Sequence, residues 1–166
     1  MQSDRKVAVY PCCGSDFRRT LFILRKYVDH VIFCDIDPKR SDAFDLFKIK
    51  KHFPRIPTCE FYLGDAIECL HGLKKLDVLY YKGDGVGEGG SGLFILGDRI
   101  LEWLVPKMPS DGLIITDGSN SRGSNFERMI RPSGLNKFGR HFSIVEIIDG
   151  LSVIAAIPNT DDLARR

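Results

Sequence analysis

VAVYPCCGSDF, residues 7–17, decides how the rest of the chain is read. Residues 7–10 are apolar and have the composition of a buried strand. The run breaks at Pro11 into small residues, and a helical pattern opens at Ser15 and Asp16. A strand that passes through a tight turn into a helix is the junction at which open α/β sheets bind nucleotide-type ligands, because turn backbone and helix amides can approach the ligand closely. Only Gly14 stands where glycine-rich fingerprints carry two or three glycines. The stretch is either a cofactor loop in altered form or merely a tight turn, and the remaining sequence has to choose between them.

Working outward, short β-branched and apolar runs recur at 6–10, 30–35, 59–63, 76–81 and 112–116, with room for a helix between each pair. Strands that alternate with helices imply a parallel sheet. SDFRRTLFILRKYV offers Ser15 or Asp16 as an N-cap and places Phe17, Leu21, Leu24 and Val28 on one face. After Pro38 a second helix is expected from a Ser41 cap, with Phe44 and Phe47 at helical spacing, ending before Pro54. AIECLHGL reads as a shorter helix and GLFILGDRILEWLVPKM as a longer one burying Ile95, Ile100, Leu101 and Leu104. The end of the chain departs from the alternation, since FSIVEIIDGLSVIAAIP holds two extended runs joined by Asp149 and Gly150, a strong hairpin signal. GDGVGEGGSG, residues 83–92, is too rich in glycine for an element interior and belongs in a loop after the fourth strand.

The 166 residues suit one domain spanning 1–166. A formal charge of +2 gives no global field that would imply nucleic acid or membrane binding. No apolar stretch approaches the ~20 residues of a bilayer span, and MQSDRK lacks the apolar segment of a secretory signal, so a cytoplasmic protein with no membrane partner is expected. Five cysteines, an odd number without CxxC spacing, argue against a disulfide framework or zinc knuckle. Cys34 and Cys59 read as small buried hydrophobes. Cys12 and Cys13 sit where helix amides could lower a thiol pKa, although no histidine partner is placed by the sequence.

Chemistry gathers at three strand ends. Backbone around Cys12, Cys13, Gly14 and Ser15 can approach a ligand. In FCDIDP, Asp35 and Asp37 follow the second strand, about 20 residues after Gly14, where a carboxylate can accept hydrogen bonds from both hydroxyls of a ribose. In YLGDA, Gly64 ends the third strand and Asp65 can accept from an exocyclic amine such as that of adenine. Each aspartate taken singly also reads as a helix cap.

This ordered set, with CDIDP, GDA, LDVLYY as a fourth strand and ILEWLVPKMPSDGLIITDG as a helix, turn and fifth strand, resembles the class I methyltransferases that use S-adenosylmethionine. The resemblance covers nearly the whole chain. It implies a Rossmann-like, doubly wound, mostly parallel seven-stranded α/β sheet ending in an antiparallel hairpin. It also implies cofactor contacts from Tyr10, Cys12, Cys13, Gly14, Asp16, Asp35, Ile36, Gly64, Asp65 and Ala66. Where the family carries an acidic residue followed by GxGxG, Tyr10 stands for the acid, Cys12 for the first glycine and Asp16 for the last. The methionine ammonium then needs Asp16 or Asp84 for its compensating charge.

The family keeps acceptor-side residues just after the fourth strand, which points to Lys82 or Asp84 as a base or orienting group. No NPPY-type sequence occurs, which argues against the usual enzymes methylating adenine or glutamine amines. Asp84 and Asp117 could jointly hold a hard cation, as in catechol-type relatives. Gly118 occupies the place of their asparagine, however, so an Asx-type turn at Asp117, Ser119 and Asn120 is preferred and no metal is expected. Residues 122–142 mix Arg122, Arg128, Arg131, Lys137 and Arg140 with Phe126, Phe138 and Phe142, which suits an RNA or phosphate-bearing partner. The acceptor is not legible. Two other readings stand beside methyl transfer: a non-catalytic module that keeps the methyltransferase shell, and a nicotinamide-dependent oxidoreductase, which lacks GxGxxG and has the wrong terminal topology.

Overall fold

The computed structural model describes residues 5–49, 56–83, 95–96, 98–118 and 140–157. Its strands are β1 (Val7–Pro11), β2 (His30–Asp35), β3 (Thr58–Leu63), β4 (Val78–Tyr81), β5 (Leu113–Thr116), β6 (His141–Ile148) and β7 (Leu151–Ile157). Its helices are α1 (Phe17–Leu24), α2 (Pro38–Ile49), α3 (Ala66–Gly72) and α4 (Asp98–Leu104). The seven strands follow the order β3-β2-β1-β4-β5-β7-β6, the Rossmann-like, mostly parallel sheet with an antiparallel end that the sequence implied. The elements fall into two compact units, Met1–Tyr81 and Lys82–Arg166.

In the first unit β1 pairs in parallel with β2, from Val7↔His30 to Pro11↔Cys34, and with β4 at Ala8↔Val78 and Val9↔Leu79. β2 pairs with β3 from His30↔Thr58 to Asp35↔Leu63. Strands of a parallel sheet are covered on both faces, which is why β4 is buried at every position and β1 at four of five. The amino end of β1 is fixed by Asp77, a buried residue whose Oδ2 accepts the Val7 N–H at 2.8 Å while its own N–H donates to the Val7 carbonyl at 2.9 Å. Lys75 Nζ lies 3.5 Å from Asp77 Oδ1 and offsets the charge.

The core of this unit is aromatic. Phe17 of α1 meets Phe33 of β2 edge-on at 5.1 Å and Phe44 of α2 at 5.3 Å, and Phe44 lies 5.5 Å from Phe61 of β3. Edge-to-face rings add about 0.5–1.5 kcal/mol per pair beyond their area burial. The face of α1 read from its periodicity, Phe17, Leu21, Leu24 and Val28, is buried throughout. α2 begins earlier than expected, at Pro38 and not after Ser41. Asp37 Oδ1 accepts the Lys39 N–H at 3.0 Å, and Pro38 takes the first helical position, where its absent N–H costs nothing.

In the second unit β5 pairs antiparallel with β7, and β7 with β6. The helix expected across residues 92–108 is shorter in the structure, with α4 at Asp98–Leu104 followed by a 3₁₀ turn at Val105–Lys107. Pro106 supplies no N–H and tightens the end of the helix. Ile95, Ile100, Leu101 and Leu104 are buried as expected. Asp149 (φ 53°) and Gly150 (φ 80°) are both left-handed, the requirement of a type I′ hairpin turn. No helix among the described residues is long and apolar enough to cross a membrane.

A Cβ at Gly150 would meet nothing within 4 Å, so substitution there tests backbone strain without steric conflict. Gly150→Ala is expected to lower stability by about 1 kcal/mol, read as a shift in the urea midpoint at unchanged m-value.

Candidate functional site

The carboxyl ends of β1, β2 and β3 are joined through the last two residues of β2. Asp35 Oδ2 accepts the Gly14 N–H at 3.0 Å, and Oδ1 accepts the Asp37 N–H at 3.0 Å. The Asp35 carbonyl accepts the Gly64 N–H and the Cys34 carbonyl accepts the Cys13 N–H, each at 3.0 Å. One aspartate therefore binds the loop after β1, the loop after β3 and the start of α2. Each carboxylate oxygen has a second lone pair, so these contacts leave acceptor capacity for a ligand.

The loop after β1 has a glycine-type backbone at two positions, only one of which is glycine. Cys12 (φ 54°) and Gly14 (φ 57°) are both left-handed, a region that costs an ordinary L-residue about 1–2 kcal/mol. Asp16 stands at the N-cap of α1 without a side-chain cap bond, its N–H directed at the Cys13 carbonyl at 3.4 Å. A contact not anticipated from the sequence closes the loop from outside. Arg40 donates to Ser15 Oγ at 3.0 Å and lies 3.7 Å from Asp37 Oδ2. The i,i+3 spacing signals the Asp37–Arg40 pair but not the reach of Arg40 to Ser15.

Cys13 is buried, and its thiol lies 3.6 Å from the Gly14 carbonyl. Burial, and after it the Asp35 charge, pushes this thiol well above the ordinary cysteine range. The activated thiol weighed for this loop is thus contradicted at Cys13, because desolvation outweighs the helix amides. A hydrogen bond with Cys69, and then burial, likewise pushes Cys34 up.

At the end of β3, Asp65 caps α3, with Oδ1 accepting the Ile67 and Glu68 N–H groups at 2.8 and 3.1 Å. Oδ2 takes no part in the cap. A Cβ on Gly64 would stand 2.7 Å from the Tyr62 ring, so glycine keeps this corner narrow. Ile36 is 72 % exposed, unusual for isoleucine and suited to an apolar ligand surface, whereas Ala66 is buried. Tyr10 is a core residue at 1 % exposure, its ring 4.7 Å from Tyr80 and 6.3 Å from Phe33.

Of the acceptor-side candidates, Lys82 is half-buried in the second unit and Asp84 lies outside the described residues. Asp117 is exposed, with Oδ1 accepting the Gly83 N–H at 3.4 Å. Gly118 (φ 77°) donates its N–H to Thr116 Oγ1 at 3.0 Å. Ser119, Asn120 and most of the 122–142 basic segment lie outside the described residues. Within that segment Arg140 donates to the Met108 and Pro109 carbonyls at 2.8 and 3.1 Å, and Phe142 is buried.

Cys12→Gly is expected to raise stability by up to about 1 kcal/mol, the relief of left-handed strain less glycine's greater unfolded entropy, whereas β-branched Cys12→Val lowers it. Thermal unfolding of the two variants reads the sign. A thiol raised in the folded state contributes stability that is complete below its unfolded pKa and declines as pH rises beyond it. Cys13 accordingly predicts falling stability above a pH of about 8.5. At pH 8, mass-spectrometric mapping after thiol alkylation is expected to find Cys12 modified ahead of Cys13.

No family model matches the chain, and no curated protein matches it. Solved structures do. A methyltransferase from Geobacter sulfurreducens superposes with a TM-score of 0.58 at 14% identity, over 93% of this chain and 72% of that one. An rRNA methylase from Streptococcus thermophilus gives 0.56 at 13% identity, over 93% and 89%. Precorrin 8w decarboxylase from Methanobacterium thermoautotrophicum gives 0.53 at 20% identity, over 92% and 77%. At such identities the likeness is one of fold, and this chain has the Rossmann-like fold of these solved structures, two of them methyltransferases.

Proposed function

We propose that the chain is an S-adenosylmethionine-dependent methyltransferase, with the adenosyl part of the cofactor held at the carboxyl ends of β1, β2 and β3. The observation that carries this reading is the position of Asp35, which gathers Gly14 and Gly64 at one carboxylate-bearing strand end. Asp35 accepts the ribose hydroxyls, Asp65 accepts the adenine amine through the oxygen its cap leaves, and Ile36 and Ala66 offer apolar surface to the base. The residues present fit the nucleoside half of the cofactor. For the ammonium, Tyr10 offers no charge, and Asp16 at the start of α1 is assigned that role.

The bound cofactor supplies a methyl carbon already activated by a positive sulfonium. What falls to the protein is alignment of the acceptor and exclusion of water. Lys82 and Asp84, next after β4 in sequence, are assigned to the acceptor as base or orienting group. Likeness to a solved rRNA methylase makes RNA the first acceptor class to test.

Calorimetric titration with S-adenosylhomocysteine is expected to give a saturable heat. Asp65→Asn retains the cap, since Asn caps as well as Asp. The cap amides fix its oxygen, however, and leave its NH2 facing the adenine amine, so affinity is expected to fall at least tenfold, about 1.4 kcal/mol. Asp35→Ala is expected to lose more, because it also unties the Gly14 loop. No heat at millimolar ligand would sink the reading. A response to reduced nicotinamide nucleotide in its place would put the oxidoreductase first.

A further inference from the structure

We propose that the outward face of α1, with the groove beside it, binds an unpaired strand of RNA. The groove has a volume of about 660 Å³ and is lined along α1 by Ser15, Arg18, Arg19, Phe22 and Arg25, with Ile56 opposite in sequence. Because Phe17, Leu21 and Leu24 take the buried face, helical periodicity places Arg18, Arg19, Phe22, Arg25 and Lys26 in solvent, where all five are exposed. Asp16 is the one acid among the described lining residues.

Two observations favour a nucleic-acid strand over a solvated charged face. Phe22 is 60 % exposed, and the Arg25 guanidinium lies 3.8 Å over its ring, so an aromatic and a planar cation form one stacking platform. The first turn of α1 holds Arg18 and Arg19 and no acid. The N-cap acid Asp16 complements the helix macrodipole, whereas the two arginines lie at its positive end. A phosphate on the outward face gains from the guanidiniums. An acidic protein partner would use the charge but not the ring. RNA, which presents unpaired bases in loops and ends, uses both. The inference goes beyond methyl transfer and does not require it.

The test is fluorescence anisotropy of an end-labelled oligouridylate with the full chain, across a salt series. Arg18→Ala with Arg25→Ala is expected to weaken binding at least tenfold and to make the log–log salt slope shallower by about 1.4, two phosphate contacts' worth for a single strand. Phe22→Ala is expected to weaken binding about five- to tenfold with the slope unchanged. Exposed Lys74→Ala on the α3–β4 connection serves as the charge control and leaves affinity within about twofold. S-adenosylhomocysteine heats measured on the same α1 variants are expected to be unchanged, which keeps this inference separate from the cofactor reading. It is overturned if the α1 variants bind like the parent or Lys74→Ala, if duplex RNA binds as tightly, or if polyglutamate competes as well as unlabelled RNA.

Discussion

The organisation of the first unit depends on one residue doing three jobs at the end of β2. Through its two carboxylate oxygens and its carbonyl, Asp35 receives amide protons from Gly14, Asp37 and Gly64. Hydrogen bonds to a charged acceptor contribute about 1.5–3 kcal/mol each, more than a neutral pair. Without that acceptor, two partly buried amides would be left to solvent or to nothing. The loop after β1 and the corner after β3 are adjacent for this reason, and not only because parallel pairing brings their strands into register. A ligand that accepts or donates at any of these points meets a frame already held by charge-assisted bonds, which lowers the cost of ordering it on binding.

The loop held by Asp35 shows what the glycines of such turns are for. Cys12 takes the left-handed conformation that glycine adopts freely. The strain is tolerable because the side chain is small and unbranched at Cβ, and because neighbouring bonds fix the loop. The Cys13 amide is anchored to the Cys34 carbonyl on one side, and the Gly14 amide to Asp35 on the other. A left-handed turn is thus held at Cys12 without a glycine. The thiol of Cys13, turned inward beside that carboxylate, is held protonated and acts as packing.

Much of this was legible in the chain. The alternation of apolar runs gave the parallel sheet, the buried face of α1 emerged at Phe17, Leu21, Leu24 and Val28, and Asp149-Gly150 marked the terminal hairpin. Boundaries were harder wherever proline was involved. Pro38 reads equally as a breaker or as the first helical residue, and only the Asp37 cap decides between them. Pro106 ends one helical geometry while allowing another. At the site, sequence could place Asp35 and Asp65 at strand ends and offer the cap that Asp65 makes, but not say that Asp35 would bridge the loops after β1 and β3. Nor could spacing reveal Arg40 reaching Ser15, since that contact joins residues 25 apart through the return of α2.

The tyrosine at position 10 belongs to the core and not to the loop. Tyr10 lies on a strand buried on both faces and packs its ring against Tyr80 and Phe33. A carboxylate there would be 1 % exposed at the present packing, and an ion desolvated without a partner costs several kcal/mol. The aromatic cluster that stabilises this sheet is therefore incompatible with an acid at the end of β1 unless a cation enters with it. Water is within reach just beyond the strand, where half-buried Asp16 stands as the N-cap of α1.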